Sequence, residues 1–164
     1  RNSMNTNTII TDENDIYIFF ELVSQLQPAS ILDVGIFLQR IGAVSRQTMS
    51  CEIPPDIYME GLEVFGQPVL PVYHKIYDKI TRLPDYSFSE NAVFDLAFFL
   101  HVNEFIHPDD RLFFWQYITT HARTIIADTS DAAFVNYAVT HCSAEAVNVE
   151  GQQYAVIYGN IQQS

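Results

Sequence analysis

Cysteine and basic residues are scarce in this sequence, and it has no long apolar run. The two cysteines, Cys51 and Cys142, lie far apart and form no CxxC pair, which argues against a disulfide framework and a zinc knuckle. Such cysteine usage is typical of a reducing compartment, and we expect a cytoplasmic protein. Apolar runs such as 97–100 are too short to cross a bilayer, and the polar first residues lack the apolar core of a signal peptide.

Basic residues are also outnumbered, with 8 Lys and Arg against 20 Asp and Glu, for a formal net charge of −12. A field of this sign repels phosphate backbones and anionic lipid. We therefore expect no nucleic acid and no membrane as a partner. The partners that this charge allows are a small-molecule substrate or a protein.

Apolar residues are plentiful, at 48%, and aromatic residues make up 13%, which predicts a packed globular core. A chain of 164 residues has the length of one domain. Arg1, Asn2 and Ser3, before Met4, look like residues left by an expression vector. We predict a disordered N-terminal segment at 1–10 and a single domain at 11–164.

The apolar pattern alternates between helical spacing and short buried runs. It predicts helices at 11–28, 39–49, 69–77, 109–121 and 132–141, and strands at 31–35, 61–65, 79–83, 93–100, 124–127, 144–149 and 154–158. Such alternation is typical of an α/β protein with a mostly parallel seven-stranded sheet between two helical layers, a Rossmann-like three-layer sandwich. The last two strands are separated only by 150–153, which permits a hairpin and excludes a parallel crossover. The C-terminal strand is therefore predicted to be antiparallel.

This plan resembles the class I SAM-dependent methyltransferases over nearly the whole chain, from Thr11 to Asn160. The run Ile31-Leu32-Asp33-Val34-Gly35 resembles the family's first motif, a strand and a glycine-rich turn around the cofactor. Glu63 resembles the acid that holds both ribose hydroxyls. Residues 94–104 resemble the fourth strand and the loop after it, which often carries catalytic or substrate-facing groups.

The resemblance implies S-adenosyl-L-methionine (SAM) as the cofactor, with Asp85 as the acid near the adenine. It implies a cofactor site made of Asp33, Gly35, Phe37, Glu63, Asp85 and Leu100. The implied activity is methyl transfer to a small-molecule acceptor.

The glycine-rich turn departs from the family pattern, because only Gly35 of three alternating glycines is present and Phe37 and Gln39 occupy the other two places. Glycine lets a backbone turn tightly and approach a ligand closely, whereas a Phe side chain at 37 could fill the pocket. The alternative function is therefore a catalytically inactive methyltransferase-like domain, used for partner binding or assembly. An NAD-type Rossmann enzyme is a weaker reading, because the missing glycines and the terminal hairpin both count against it.

Histidine and acidic residues follow the predicted strand at 93–100. His101 lies nearest the strand end and is our candidate catalytic base. The later His107, Asp109 and Asp110 match no recognised metal-binding spacing, and Asp109 or Asp110 is explained as a helix cap, so we predict no metal site.

Three consecutive aromatic residues, Phe113, Phe114 and Trp115, span too wide an arc of a helix to be buried together in one monomer. They indicate a protein interface and allow a homo-oligomer.

Overall fold

The chain folds into alternating strands and helices, in a computed structural model that describes residues 13–36, 56–82, 92–129, 132–149 and 151–161. The helices are α1 (Glu13–Leu26), α2 (Pro108–His121) and α3 (Ala132–His141). The strands are β1 (Ser30–Val34), β2 (Tyr58–Glu63), β3 (Lys79–Arg82), β4 (Phe94–Phe99), β5 (Ala122–Asp128), β6 (Ser143–Val149) and β7 (Gln152–Tyr158). Two short 3₁₀ helices, Pro71–Lys75 and Asn103–Phe105, follow β2 and β4. The helix predicted at 39–49 lies outside the described residues.

The described strands form one seven-stranded sheet in the order β3-β2-β1-β4-β5-β7-β6. The first five strands in this order pair in parallel, and β7 is antiparallel to both β5 and β6. Just before β7, Gly151 has a φ of +84°, and its N–H bonds to Oδ1 of Asn148 at 3.0 Å. The predicted sheet, with its terminal hairpin and reversed last strand, is confirmed.

The central strands are buried on both faces, as their continuous apolar runs predict. In β4, Phe98 packs into the hydrophobic cluster on one face of the sheet and its neighbour Phe99 into the cluster on the other face. The same alternation in β1 places Ile31 on the first face and Leu32 on the second. A strand that is covered twice needs a helical layer on each side.

Helices supply these two layers. On one face, α1 contributes Ile18 and Leu22 to the core, and on the other face α2 and α3 contribute Phe114, Ile118 and Phe134. Burial of each such side chain contributes about 1.5–3 kcal/mol. The three-layer sandwich thus removes the apolar surface on both faces of the sheet from water. Among the described residues, no helix combines the length and the apolar character needed to span a bilayer.

Local signals set the helix ends. The helix α1 stops where Gln27 takes a φ of +47° and its N–H bonds to the C=O of Val23 at 2.9 Å, just before Pro28. At the start of α2, the Nδ1 of His107 accepts a hydrogen bond from the N–H of Asp109 at 3.1 Å. The prediction that Asp109 or Asp110 caps this helix is wrong. Both acids lie in its first turn, where they favour the helix dipole.

Two predicted element boundaries are also wrong. The strand predicted at 61–65 is β2, which begins at Tyr58. The prediction missed its first half because that half is defined by pairing with β1, and such pairing leaves no trace in a single sequence. The helix predicted at 69–77 is only the 3₁₀ helix Pro71–Lys75. Pro71 disfavours helical backbone at Leu70, which is extended, so the helix begins only at Pro71.

Candidate functional site

The carboxyl ends of β1, β2, β4 and β5 lie along one edge of the sheet, which we call the strand-end edge. The loops after β1 and β2 are joined there, because the N–H of Gly35 bonds to the C=O of Leu62 at 2.8 Å. In an open α/β sheet, ligands bind outside this edge, where successive connections leave the sheet in opposite directions. Gly35 and His101 follow strands that end at this edge, and Glu63 is the last residue of another such strand.

Gly35 makes the turn that leaves β1. Its φ is +89°, in the left-handed region that a side chain disfavours. A Cβ atom here would lie 2.5 Å from Cγ1 of Val102 and 3.2 Å from Cζ of Phe65. Both the backbone conformation and the close approach therefore require glycine at this position.

Glu63 ends β2 with its side chain turned into the protein, and the residue is 0% exposed. Its carboxylate accepts hydrogen bonds from the backbone N–H groups of Phe65, Gly66 and Gln67, at 3.0, 3.0 and 3.2 Å. The Nε of Arg82, on β3, lies 3.7 Å from Oε1. Glu63 thus holds the loop that follows its own strand.

Asp33 is also buried, at 1% exposure. Its Oδ2 accepts a hydrogen bond from the hydroxyl of Tyr77 at 2.5 Å. A buried carboxylate is costly unless it is hydrogen-bonded, and Tyr77 provides one such bond. This contact ties β1 to the segment that leads into β3.

His101 lies just beyond β4 and contacts Asp128, the last residue of β5. The backbone N–H of His101 bonds to Oδ1 of Asp128 at 2.9 Å, and its Nδ1 lies 3.4 Å from Oδ2. The Asp128 side chain is only 6% exposed, whereas that of His101 is 26% exposed. A buried carboxylate therefore holds both the backbone and the ring of a partly accessible histidine.

Apolar side chains lie above Gly35, between the loops after β2 and β4. Val102 and Phe65 contact the glycine, and the ring of Phe65 packs edge-on against that of Phe105, with centroids 4.7 Å apart. We call Phe65, Val102 and Phe105 the apolar cover. It joins two loops that would border a ligand at this edge.

The remaining predicted site residues are placed as follows. Phe37 and Asp85 lie outside the described residues. Leu100 is buried in the core on the α1 face of the sheet. Sequence reasoning missed Tyr77 and Asp128, although Asp128 carries one signal that could have found it, a carboxylate at the end of a buried apolar strand.

Other parts of the described structure contain cavities but no metal centre. A cavity of about 450 Å³ lies between α1 and the strands β5, β7 and β6, and its lining includes none of the candidate residues at the strand-end edge. Within the described ranges, no group of three or more His, Cys, Asp or Glu side chains is arranged to hold a metal ion.

The sheet order and the reversed last strand can be compared with known proteins. No protein-family model matches the chain, and no curated protein matches it in sequence. Solved structures do match. One is a candidate O-methyltransferase from Klebsiella pneumoniae, with 16% identity and a TM-score of 0.60, over 95% of this chain and 86% of that one.

Two further similar structures are also methyltransferases. The O-methyltransferase TomG from Streptomyces achromogenes, in complex with SAM, has 13% identity and a TM-score of 0.58, over 91% of this chain and 81% of that one. The methyltransferase domain of bacterial CtHen1-CN has 11% identity and a TM-score of 0.60, over 89% and 98%. This chain therefore has the class I methyltransferase fold, and its function has to be argued from its own residues.

Proposed function

We propose that this chain is a SAM-dependent methyltransferase that acts on a small-molecule acceptor. The observation that carries the proposal is the position of Gly35 and Glu63 at neighbouring strand ends of a methyltransferase fold, where the Gly35 N–H bonds to the C=O of Leu62. A left-handed glycine after β1 suits the close approach of backbone to a nucleoside, and a carboxylate at the end of β2 suits its hydroxyls. TomG, which shares the fold, is in complex with SAM in its own structure.

These residues suit such a cofactor in their chemical type. Gly35 carries no side chain, although Val102 and Phe65 lie over it, and the two oxygens of Glu63 suit a pair of ribose hydroxyls. Three backbone N–H groups now bind that carboxylate, so hydroxyl groups reach it only when residues 65–67 release it. Binding therefore involves an exchange of hydrogen-bond donors at Glu63.

The chain's own residues supply orientation, exclusion of water and one proton acceptor. When bound, SAM supplies an electrophilic methyl group on a sulfonium sulfur. Methyl transfer needs chiefly the alignment of two reactants, and the apolar cover shields this edge from water. His101 is the basic side chain next to the end of β4, and it accepts the proton that the acceptor loses. The negative charge of the chain favours a small acceptor over a nucleic acid.

Ligand binding tests the proposal directly. We expect SAM and its demethylated product to bind in calorimetry and to raise the melting temperature. A ligand at 100 times its Kd adds about 2.7 kcal/mol of stability, which corresponds to about 5–10 °C for a domain of this size. An unchanged melting temperature at millimolar ligand would rule out SAM-dependent catalysis.

A pair of matched variants assigns the binding to the strand-end edge. Glu63→Gln keeps the size of the side chain and removes its charge, and we expect ligand affinity to fall about 10- to 100-fold, since a hydrogen bond to a charged group contributes about 1.5–3 kcal/mol. Glu145→Gln makes the same change on β6, where the exposed carboxylate bonds to the hydroxyl of Tyr158, and we expect unchanged affinity. Equal losses in both variants would contradict the assigned site.

A second function is a methyltransferase-like domain that binds a partner without catalysis. It is favoured because the protein's own groups already occupy the strand-end edge. All three bonds to Glu63 come from its own loop, and the apolar cover occupies the space over Gly35. Leu112 and Phe113 on α2 are 61% and 52% exposed, which suits a protein interface. This function predicts no ligand response, together with an assembly that Phe113→Lys weakens in light scattering.

A further inference from the structure

The cavity on the α1 face of the sheet lies apart from the strand-end edge. Its volume of about 450 Å³ is within the range of small-molecule pockets. One wall is α1, from Ile18 to Leu26, and the opposite wall is β6, from Glu145 to Val149. A rise of about 1.5 Å per helix residue and about 3.3 Å per strand residue gives each wall a length of about 12–13 Å. The cavity is therefore a long groove, which we call the α1–β6 groove.

The inner surface of the α1–β6 groove is apolar. Ile18 and Leu22 of α1 and Val156 of β7 line it and belong to the buried core on this face of the sheet. Val147 and Val149 of β6 also line it and pack, partly buried, against the same core. A hydrocarbon chain or ring placed against these side chains would lose its contact with water, which favours binding.

The charged residues of the groove are all acidic. Among the described residues that line it, Glu21 on α1 and Glu145 on β6 are carboxylates, and none is Lys, Arg or His. Glu21 accepts a hydrogen bond from the amide of Gln25 at 3.1 Å, and Glu145 accepts one from the hydroxyl of Tyr158 at 2.6 Å. Neither donor is a cation, and a carboxylate has about four acceptor positions, so both acids can accept further hydrogen bonds from a ligand.

We propose that the α1–β6 groove binds a small organic cation, namely an amine that carries an apolar chain or ring. The apolar inner surface takes the hydrocarbon part, and Glu21 and Glu145 accept charge-assisted hydrogen bonds from the ammonium group. A polybasic segment of another protein suits the groove less well, because it would gain from charge alone and leave the apolar surface unused. This site goes beyond the proposed methyltransferase function, since none of its lining residues belongs to the strand-end edge or the apolar cover.

Backbone amide NMR in ¹⁵N-labelled protein locates the ligand, with octylamine as the probe because its extended chain is comparable in length to the groove. We expect saturable shift changes in α1 and β6 and none at Gly35 or Glu63. The measurement is made at about 0.15 M NaCl, where non-specific attraction of cations to this acidic chain is screened beyond about 8 Å. Shift changes that are confined to the strand-end edge, or that do not saturate, would overturn the proposal.

Three matched ligands separate the contribution of charge from that of the apolar chain. Octanol keeps the chain without the charge, and we expect it to bind about 4- to 25-fold more weakly than octylamine, since each exposed ion pair contributes about 2- to 5-fold. Octanoate reverses the charge and should bind more weakly still. Trilysine keeps positive charge without the chain and should give no saturable shifts. Octanol binding as tight as that of octylamine, or trilysine binding at least as tight, would overturn the proposal.

Variants of the two carboxylates assign the binding to the groove. We expect Glu21→Gln and Glu145→Gln each to weaken octylamine about 2- to 5-fold and to leave octanol unchanged. The matched control is Glu104→Gln, which makes the same change at an exposed residue outside the groove and should leave octylamine affinity unchanged. Equal losses in all three variants would show only a response to net charge and would overturn the site.

A variant that narrows the groove tests the apolar contact. Val147→Phe places a larger ring on the β6 wall, and we expect a loss of binding for octylamine and octanol alike. The melting temperature of the variant without ligand shows whether it is folded, and the carboxylate variants test the same site without altering its core. Unchanged octylamine affinity in a folded Val147→Phe protein would overturn the proposal. None of these measurements uses SAM, so their outcome is independent of the methyltransferase proposal.

Discussion

Two glycines with similar backbone angles have very different surroundings, and this difference separates backbone strain from crowding. Gly35 has a φ of +89° and Val102 within 2.5 Å of its missing Cβ, whereas Gly66 has a φ of +74° and nothing within 4 Å. We expect Gly66→Ala to lower the free energy of unfolding by about 1–2 kcal/mol, the cost of left-handed backbone. Gly35→Ala should cost about 1–3 kcal/mol more, because the methyl group is driven into Val102.

Denaturation in urea measures both variants, and Gly35→Ala combined with Val102→Ala provides the check. Removing the Val102 methyl groups should recover part of the extra loss at Gly35, as a coupling between neighbouring sites. Equal losses for the two single glycine variants would contradict the close approach.

At the scale of elements, the contact between Asp33 and Tyr77 links β1 to the segment before β3. Tyr77→Phe removes the hydroxyl that donates to a buried carboxylate, and we expect a loss of about 1.5–3 kcal/mol in urea denaturation. Tyr158→Phe removes a hydroxyl that donates to the exposed Glu145, and its effect should stay within about 0.5 kcal/mol. A loss at Tyr77 no larger than at Tyr158 would show that Asp33 does not depend on this bond.

Elements with strong local signals were predicted well. The terminal hairpin follows from a link too short for a crossover, and α1 ends where Pro28 forbids its continuation. The start of β2 was missed, because Glu60 reads as a surface residue and only its pairing with Leu32 of β1 buries it in the sheet. The cap of α2 was assigned to the wrong residue, because a histidine ring nitrogen that faces the first turn is not a common cap.

At the scale of the whole molecule, the net charge of −12 opposes the compact state. Salt shortens the range of this repulsion, from about 30 Å at 0.01 M to about 8 Å at 0.15 M ionic strength. We therefore expect the melting temperature to rise over this range, to a similar extent in NaCl and KCl. A fall would show that attractive ion pairs, such as that of Arg82 with Glu63, outweigh the repulsion.

Part of the candidate site could be predicted from the order of the predicted strands, as the fold was. Parallel strands bring their carboxyl ends to one edge, so Gly35, Glu63 and His101 could be assigned to a shared edge from their places at or near the ends of predicted strands. Their roles in binding and catalysis stay predictions. The partners of these residues could not be found, because side-chain contacts across a sheet depend on register and rotamer, which no local pattern encodes.

The sequence by itself determined a layered α/β sheet with a reversed last strand, because apolar periodicity and link lengths are local properties that do not depend on tertiary contacts. Only the tertiary structure decided that Tyr77 meets Asp33, 44 residues away, and that Asp128 meets His101, 27 residues away. It also decided that the carboxylate of Glu63 is closed by its own loop. These contacts arise from how strands align after packing, and packing is a property of the whole chain.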